Sequence, residues 1–319
     1  MTMTLAAKSP EDLLAAVPVV LGFKPHEDLV MLTFGAEHQF HARIDLPGRG
    51  DIDECVETVL APARTHAVRA VVFILYTTSA ALAHDLAREL VDRFEAVGIR
   101  VLDVLRADGE RWFAPFGRAG VPPGGVPYDE DAHEFAAEAV LDGRVRLGSR
   151  EALAAKIAPD ADLVAQTEAA LSGATALSVG GLAGVLGRAR RSGRIGEADD
   201  LASLLLALRR PAVLYRLCAE LDPVSAPELL PLWEDIVRRT PTALVAPPAG
   251  VLALVAWLAG DGALAWCGVD RCFQGEIDHL LGRLVSALLT DAAPPKVWGT
   301  RVCTALAAVS AAAGRAVAG

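Results

Sequence analysis

The stretch PVVLGFKPHEDLVMLTFGAEHQFHARIDLP, from Pro18 to Pro47, sets the reading of the first half of the chain. Leu29 to Phe34 is an unbroken apolar run of strand length, so it belongs deep in a sheet. Gly35-Ala36-Glu37 reverses the chain. The next segment alternates, with Phe40, Ala42, Ile44 and Leu46 on one side and Gln39, His41, Arg43 and Asp45 on the other. That period places His41, Arg43 and Asp45 in a row on one strand face. Upstream, Gly22 to Asp28 is a turn by composition, and it holds His26, Glu27 and Asp28 just before the buried strand.

Working outward, Ser9-Pro10-Glu11-Asp12 is a helix start: a hydroxyl cap, proline in the first turn and carboxylates at the positive end of the dipole. Pro18 is expected to end that helix. Downstream, 51–64 reads as an amphipathic helix, Val68 to Tyr76 as a second buried strand and 80–97 as a helix capped by Thr77-Thr78-Ser79. Arg100 to Arg106 reads as a third strand, and Asp108-Gly109 as a hairpin turn into Arg111-Trp112-Phe113. The order β-β-α-β-α-β-β predicts a mixed sheet with flanking helices, in which strands joined by a single helix are parallel neighbours. Val121 to Asp129, rich in Pro and Gly, predicts an ordered loop.

From Ser149 onward the apolar period becomes 3.6. Ten segments read as helices, near 150–158, 162–172, 176–191, 196–209, 211–221, 226–239, 249–258, 262–272, 276–290 and 299–316. The expected organisation is an α/β domain over 1–150 followed by an all-α domain over 151–319, a helical array. Trp257-Leu258-Ala259-Gly260-Asp261-Gly262-Ala263-Leu264-Ala265 is similar to the middle of a tetratricopeptide-type helical hairpin, but no copies recur at the period of that repeat. A helical bundle and a repeat-like groove both remain open.

Composition narrows the function classes. Apolar residues make 53% of the 319-residue chain and charged residues 22%, as in folded proteins. The net charge of −10 opposes phosphate backbones, so nucleic acid is not an expected partner. The local exception, Arg188 to Arg194, reads as a solvated helix end. Five cysteines show no Cys-x-x-Cys pair, so neither a disulfide framework nor a zinc site is expected, and no cofactor is implied. The N-terminus lacks the apolar core of a signal peptide. Gly260-Asp261-Gly262 cuts the most apolar run, Val251 to Val269, too short for a membrane span. A cytoplasmic, soluble protein without membrane association is expected.

Five motifs, VPVVLGFKPHEDLVMLTF, HARIDLP, RADGERWFAPF, VPPGGVPYD and WLAGDGALAWCGVDRC, occur in this order. Together they resemble the actinobacterial domain-of-unknown-function family numbered 4192, over roughly Asp12 to Trp298. The resemblance implies no assigned activity. Two positions depart from the family's pattern. Asp28 stands where a small hydroxyl residue is expected, and Phe116-Gly117-Arg118-Ala119-Gly120 replaces a segment often bearing cysteines. A thiol or metal role for that loop does not carry over.

No phosphate-binding loop, dinucleotide fingerprint, nucleophile elbow or zincin motif is present. The candidate ligand-binding residues are His26, Asp28, His41, Arg43, Asp45, Thr78 and Arg111. His26, Glu27 and Asp28 have the groups for acid–base chemistry, and Arg43 is a fork for an anion with His41 as proton carrier. Thr78 lies where a buried strand hands over to a helix, the edge at which open α/β sheets bind ligands. Arg111 neighbours Trp112 on the last hairpin, where an arginine and an aromatic ring can stack. The leading expectation is a non-catalytic binding or regulatory protein whose helical half recognises another protein. The alternative is an enzyme or small-ligand sensor that acts on an anionic substrate through the α/β half.

Overall fold

The computed structural model describes residues 7–36, 40–141 and 149–299. The chain divides into two compact units, Met1–Arg150 and Glu151–Gly319. The first is a six-stranded mixed sheet with helices, and the second is a run of helices.

Helix α1 (Pro10–Leu21) opens with a complete capping box: the Asp12 amide donates to Ser9 Oγ at 3.1 Å, and the Ser9 amide donates to Asp12 Oδ2 at 3.1 Å. Pro18 lies inside this helix and does not end it. An interior proline costs roughly 3 kcal/mol, and the buried face of Leu14, Val17 and Val19 around it outweighs that cost. The stop comes at Gly22, whose left-handed φ of 79° lets its amide reach the Pro18 carbonyl at 2.9 Å.

Strands β1 (Asp28–Phe34) and β2 (His41–Asp45) are antiparallel. Helix α2 (Ile52–Thr65) leads to β3 (Ala70–Tyr76), and α3 (Ala80–Ala96) leads to β4 (Arg100–Ala107). Strands β5 (Arg111–Phe113) and β6 (Val126–Pro127) complete the order β2-β1-β3-β4-β5-β6. Among the described strands only β3 and β4 are parallel neighbours. β2 and β3, also joined by one helix, are separated by β1, which is antiparallel to both. The proline-rich loop contains the two residues of β6, paired to β5.

The sheet is covered on both faces, which explains why β3 reads as a continuous apolar run. Val71, Phe73 and Leu75 pack with Val56, Val59 and Leu60 of α2 and Leu86, Leu90 and Phe94 of α3. Phe40, Ala42, Ile44 and Leu46 join that face, as the alternation requires. Val72, Ile74 and Tyr76 pack on the other face with Leu14 and Val17 of α1. Helix α4 (Glu134–Leu141) brings Phe135 against Ala15, Ala16 and Val19 of α1.

The second unit has nine α-helices among the described residues: α5 (Arg150–Ala155), α6 (Ala161–Leu171), α7 (Val179–Ser192), α8 (Ala198–Leu208), α9 (Pro211–Ala219), α10 (Ala226–Arg238), α11 (Ala246–Leu258), α12 (Gly262–Gly275) and α13 (Leu280–Thr290). Helix α11 starts three residues earlier than punctuation by Pro247 and Pro248 suggests. Proline fits a first helical turn, where its missing amide would have no partner anyway. Apart from Pro247, α11 is buried throughout, with α10, α12 and α13 packed around it. The expected α11–α12 hairpin is present, with Gly260 at φ 81° and Asp261 Oδ1 accepting from the Leu264 amide at 2.9 Å. Gly268 and Gly275 make the close approach possible, because a Cβ at either would lie 2.9 Å from backbone atoms of Ala253 or Ala246. The helix expected over 299–316 lies outside the described residues. No helix among the described residues is long and apolar enough to cross a membrane.

Candidate functional site

The antiparallel register decides which polar groups meet. It sets Asp28 opposite Asp45 on one side and opposite Tyr76 on the other. Arg43, two residues before Asp45 on the same face, reaches both carboxylates. Its Nη2 contacts Asp28 Oδ1 and lies 2.7 Å from Asp45 Oδ1. The guanidinium also sits 5.9 Å from the centroid of the Phe23 ring. Asp28 is buried and Asp45 exposed, so Arg43 carries an inner and an outer partner. The inner carboxylate gains a further donor, the His26 amide, 3.0 Å from Oδ2. Burial nevertheless pushes Asp28 above the usual carboxylate range, against the pull of Arg43 and of that amide.

Tyr76 ends β3 beside this pair. Its hydroxyl is buried without a hydrogen-bond partner, and burial holds it well above the usual phenol range. The charges of Asp28 and Glu130 act in the same direction. Glu27 adopts a left-handed φ of 53°, a conformation uncommon for any residue with a Cβ. The conformation is held from both sides: its carbonyl accepts from the Leu46 amide at 2.9 Å, and its carboxylate accepts from the Thr77 hydroxyl at 3.0 Å.

The sequence candidates therefore separate. Asp28, Arg43 and Asp45 come together, and His26 joins them through its backbone. His41 shares their strand face, but its Nδ1 accepts from the Thr33 amide at 3.4 Å, and burial pulls it below the usual imidazole range. Thr78 is exposed, and its carbonyl accepts from Arg106 Nη1 at 3.5 Å. Ser79, not Thr78, caps α3. Arg111 Nη1 donates to the carbonyls of Gly124 and Gly125 at 3.2 and 3.1 Å, which closes the loop before β6. The ring that stacks on that hairpin is Phe113, with Arg106 3.6 Å from its centroid, whereas Trp112 donates to Glu11 at 2.9 Å. His38 lies outside the described residues.

Two sequence features resolve into structural roles. In the acidic segment after Tyr128, Glu130 and Asp131 lie 3.1 and 2.6 Å from Lys24 Nζ. In the arginine run, Arg188 meets Asp200 at 3.0 Å and Arg190 meets Glu228 at 3.2 Å. Among the described residues no group of three His, Cys, Asp or Glu side chains is placed to hold a metal ion. An open groove lies apart from the charged triad, between α3, β4 and the loop after β5, lined by Glu95, Leu102, Asp103, Phe116 and Arg118.

Tyr76 is the participant that the sequence did not single out. Tyr76 is visible only as the last residue of an apolar run. Its place beside Asp28 follows from strand register, for which the sequence carries no local signal.

The family whose model matches the chain is described as a domain of unknown function, DUF4192, and the match covers residues 10–296. No curated protein and no solved structure matches the chain.

Proposed function

The chain belongs to the DUF4192 family, a membership that brings no activity with it, and from that premise we propose a non-catalytic binding or regulatory protein whose helical half recognises another protein. The observation that carries this reading is the exposed apolar corner between α12 and α13. Ile277 and Leu280 are 78% and 45% exposed there, in a unit whose central helix is buried along its length. Full burial of an exposed Ile or Leu is worth roughly 1.5–3 kcal/mol, so contact with a partner recovers most of that at Ile277 and about half of it at Leu280.

The reactive side chains support the same reading. His84 is bonded to the Pro115 carbonyl at 3.1 Å, His133 to Asp12 at 3.1 Å, and His279 lies 3.5 Å from Cys272 Sγ. Burial pushes the Cys55 and Cys272 thiols up to about 12, far from the thiolate form that attacks an electrophile. The cytoplasm suits buried thiols such as those of Cys55 and Cys272.

A second reading, an enzyme or sensor for a small anionic compound, is favoured by Asp45. Its side chain is 74% exposed, so an incoming carboxylate or phosphate can replace it on Arg43 while Asp28 stays in place. Affinity capture with the purified chain separates the two. The expected result is a bound protein that is lost with the double variant Ile277→Ser/Leu280→Ser and kept with Arg43→Lys. Loss with Arg43→Lys alone moves recognition to the sheet and overturns the first reading.

A further inference from the structure

We propose that Arg271 of α12 is the receptor for a small oxyanion, a carboxylate or phosphate group, held by the Nε–Nη2 edge of its guanidinium. Three buried arginines invite comparison. Arg106 donates to the Thr77 carbonyl at 3.1 Å and lies over Phe113. Arg239 donates to the Ile195 carbonyl at 2.8 Å and pairs with Asp235 at 3.3 Å. Arg271 is 7% exposed, and among the described residues its side chain makes one hydrogen bond, from Nη1 to Gln274 Oε1 at 2.7 Å. Its Nε and Nη2 are buried with no partner.

Those two nitrogens are neighbours on one side of the guanidinium. Their N–H bonds run parallel, which is the fork that matches two oxygens of a carboxylate or phosphate. Gln274 holds the opposite side, so the free edge is oriented before any ligand arrives. Burial alone pulls Arg271 below the usual guanidinium range, with no carboxylate acting against it.

The packing explains why no described residue supplies a counter-ion. Arg271 lies in sequence between Gly268 and Gly275, the two points where α12 is drawn onto α11. Helix α11, APPAGVLALVAWL, has no ionisable side chain to offer. A charge desolvated in this way is costly until an opposite charge joins it. Gln274, one turn further on, is exposed, so the Nη1 end of the guanidinium lies close to solvent, and an anion reaches the buried Nε–Nη2 edge by displacing the side chains that cover it. The site stands apart from the protein-recognition reading, because a free anion is enough to fill it.

Thermal unfolding of the full chain tests the proposal, in chloride against phosphate, sulfate, acetate and formate at matched ionic strength. The helical half is followed by tryptophan fluorescence, since Trp233, Trp257, Trp266 and Trp298 all lie there. A fitting anion at ten times its dissociation constant raises the wild-type midpoint by about 3 °C. Phosphate and sulfate acting without acetate and formate identifies a tetrahedral ligand, and the reverse identifies a carboxylate. Arg271→Met loses the shift and, in chloride, is at least as stable as wild type, because no stranded cation remains. Arg271→Lys keeps the charge without the fork and shows a smaller shift. Equal shifts in wild type and Arg271→Met overturn the proposal, as does a wild type unmoved by all four anions. If Arg271→Met fails to fold, NMR titration of the wild-type Arg271 Nε–H decides: a resonance that moves with anion supports the site, and a static one overturns it.

Discussion

β3 and α11 are each buried almost end to end, and each is the centre of its own unit. They achieve burial under different constraints. In the sheet, backbone hydrogen bonds hold neighbouring strands about 4.8 Å apart whatever the side chains. Large residues such as Phe73 then fill the space above and below, and a polar end can be built in, as Asp28 and Tyr76 are. Around α11 no ladder sets the spacing. The side chains themselves decide it, so close contact with α12 depends on Gly268 and Gly275 having none. The sheet thus tolerates charge where register supplies a partner, as Asp28 and Arg43 do for each other. The helical core leaves Arg271 with an amide alone.

Substitutions on either side can break this contrast. Arg43→Met strands the buried Asp28 carboxylate and should cost about 3 kcal/mol, read as faster hydrogen exchange of β3 amides. Asp28 already sits above the usual carboxylate range, and losing Arg43 raises it further. Its contribution to stability is then fully present below the unfolded-state value and is lost as pH rises through the folded one. The penalty should therefore be largest at neutral pH and shrink on acidification. A loss independent of pH would mean that Arg43 acts through packing on Phe23 and not through charge.

On the helical side, Gly268→Ala places a methyl against Ala253 backbone and should cost about 2 kcal/mol, despite the better helix propensity of alanine. A shift of the urea midpoint followed by tryptophan fluorescence measures it, and a neutral result would show that α11 and α12 can separate. Gly187→Ala sharpens the point with the smallest effect. Gly187 lies in α7 with no atom within 4 Å of an added Cβ, so only propensity is at work, and a gain of about 0.5–1 kcal/mol is expected.

Much of the fold was legible because its signals are local. The alternation from Phe40 to Leu46, the Ser9 hydroxyl cap and the 3.6 period after Ser149 each act within a few residues. The errors were also local rules overruled at a distance. Pro18 reads as a stop and sits inside α1 because the helix buries that face. β2 and β3 read as neighbours, but β1 stands between them. The candidate site was half legible: alternation put Arg43 and Asp45 on one face and Asp28 was among the candidates, but that Asp28 stands between Asp45 and Tyr76 follows only from strand register. His41 obeyed the same alternation and turned to the Thr33 amide instead.

Local pattern along the chain was enough for most of the strands and helices, for which faces are apolar, and for two architectures following one another, but not for β6, which pairs to β5 inside a proline-rich loop. These depend on periodicity and caps, which a single segment carries alone. Tertiary structure decided the strand order, the partner of every buried charge and the isolation of the Arg271 fork. Each of those depends on which residues far apart in sequence come within about 3 Å, and a one-residue change of register would reassign them without altering any segment's own pattern.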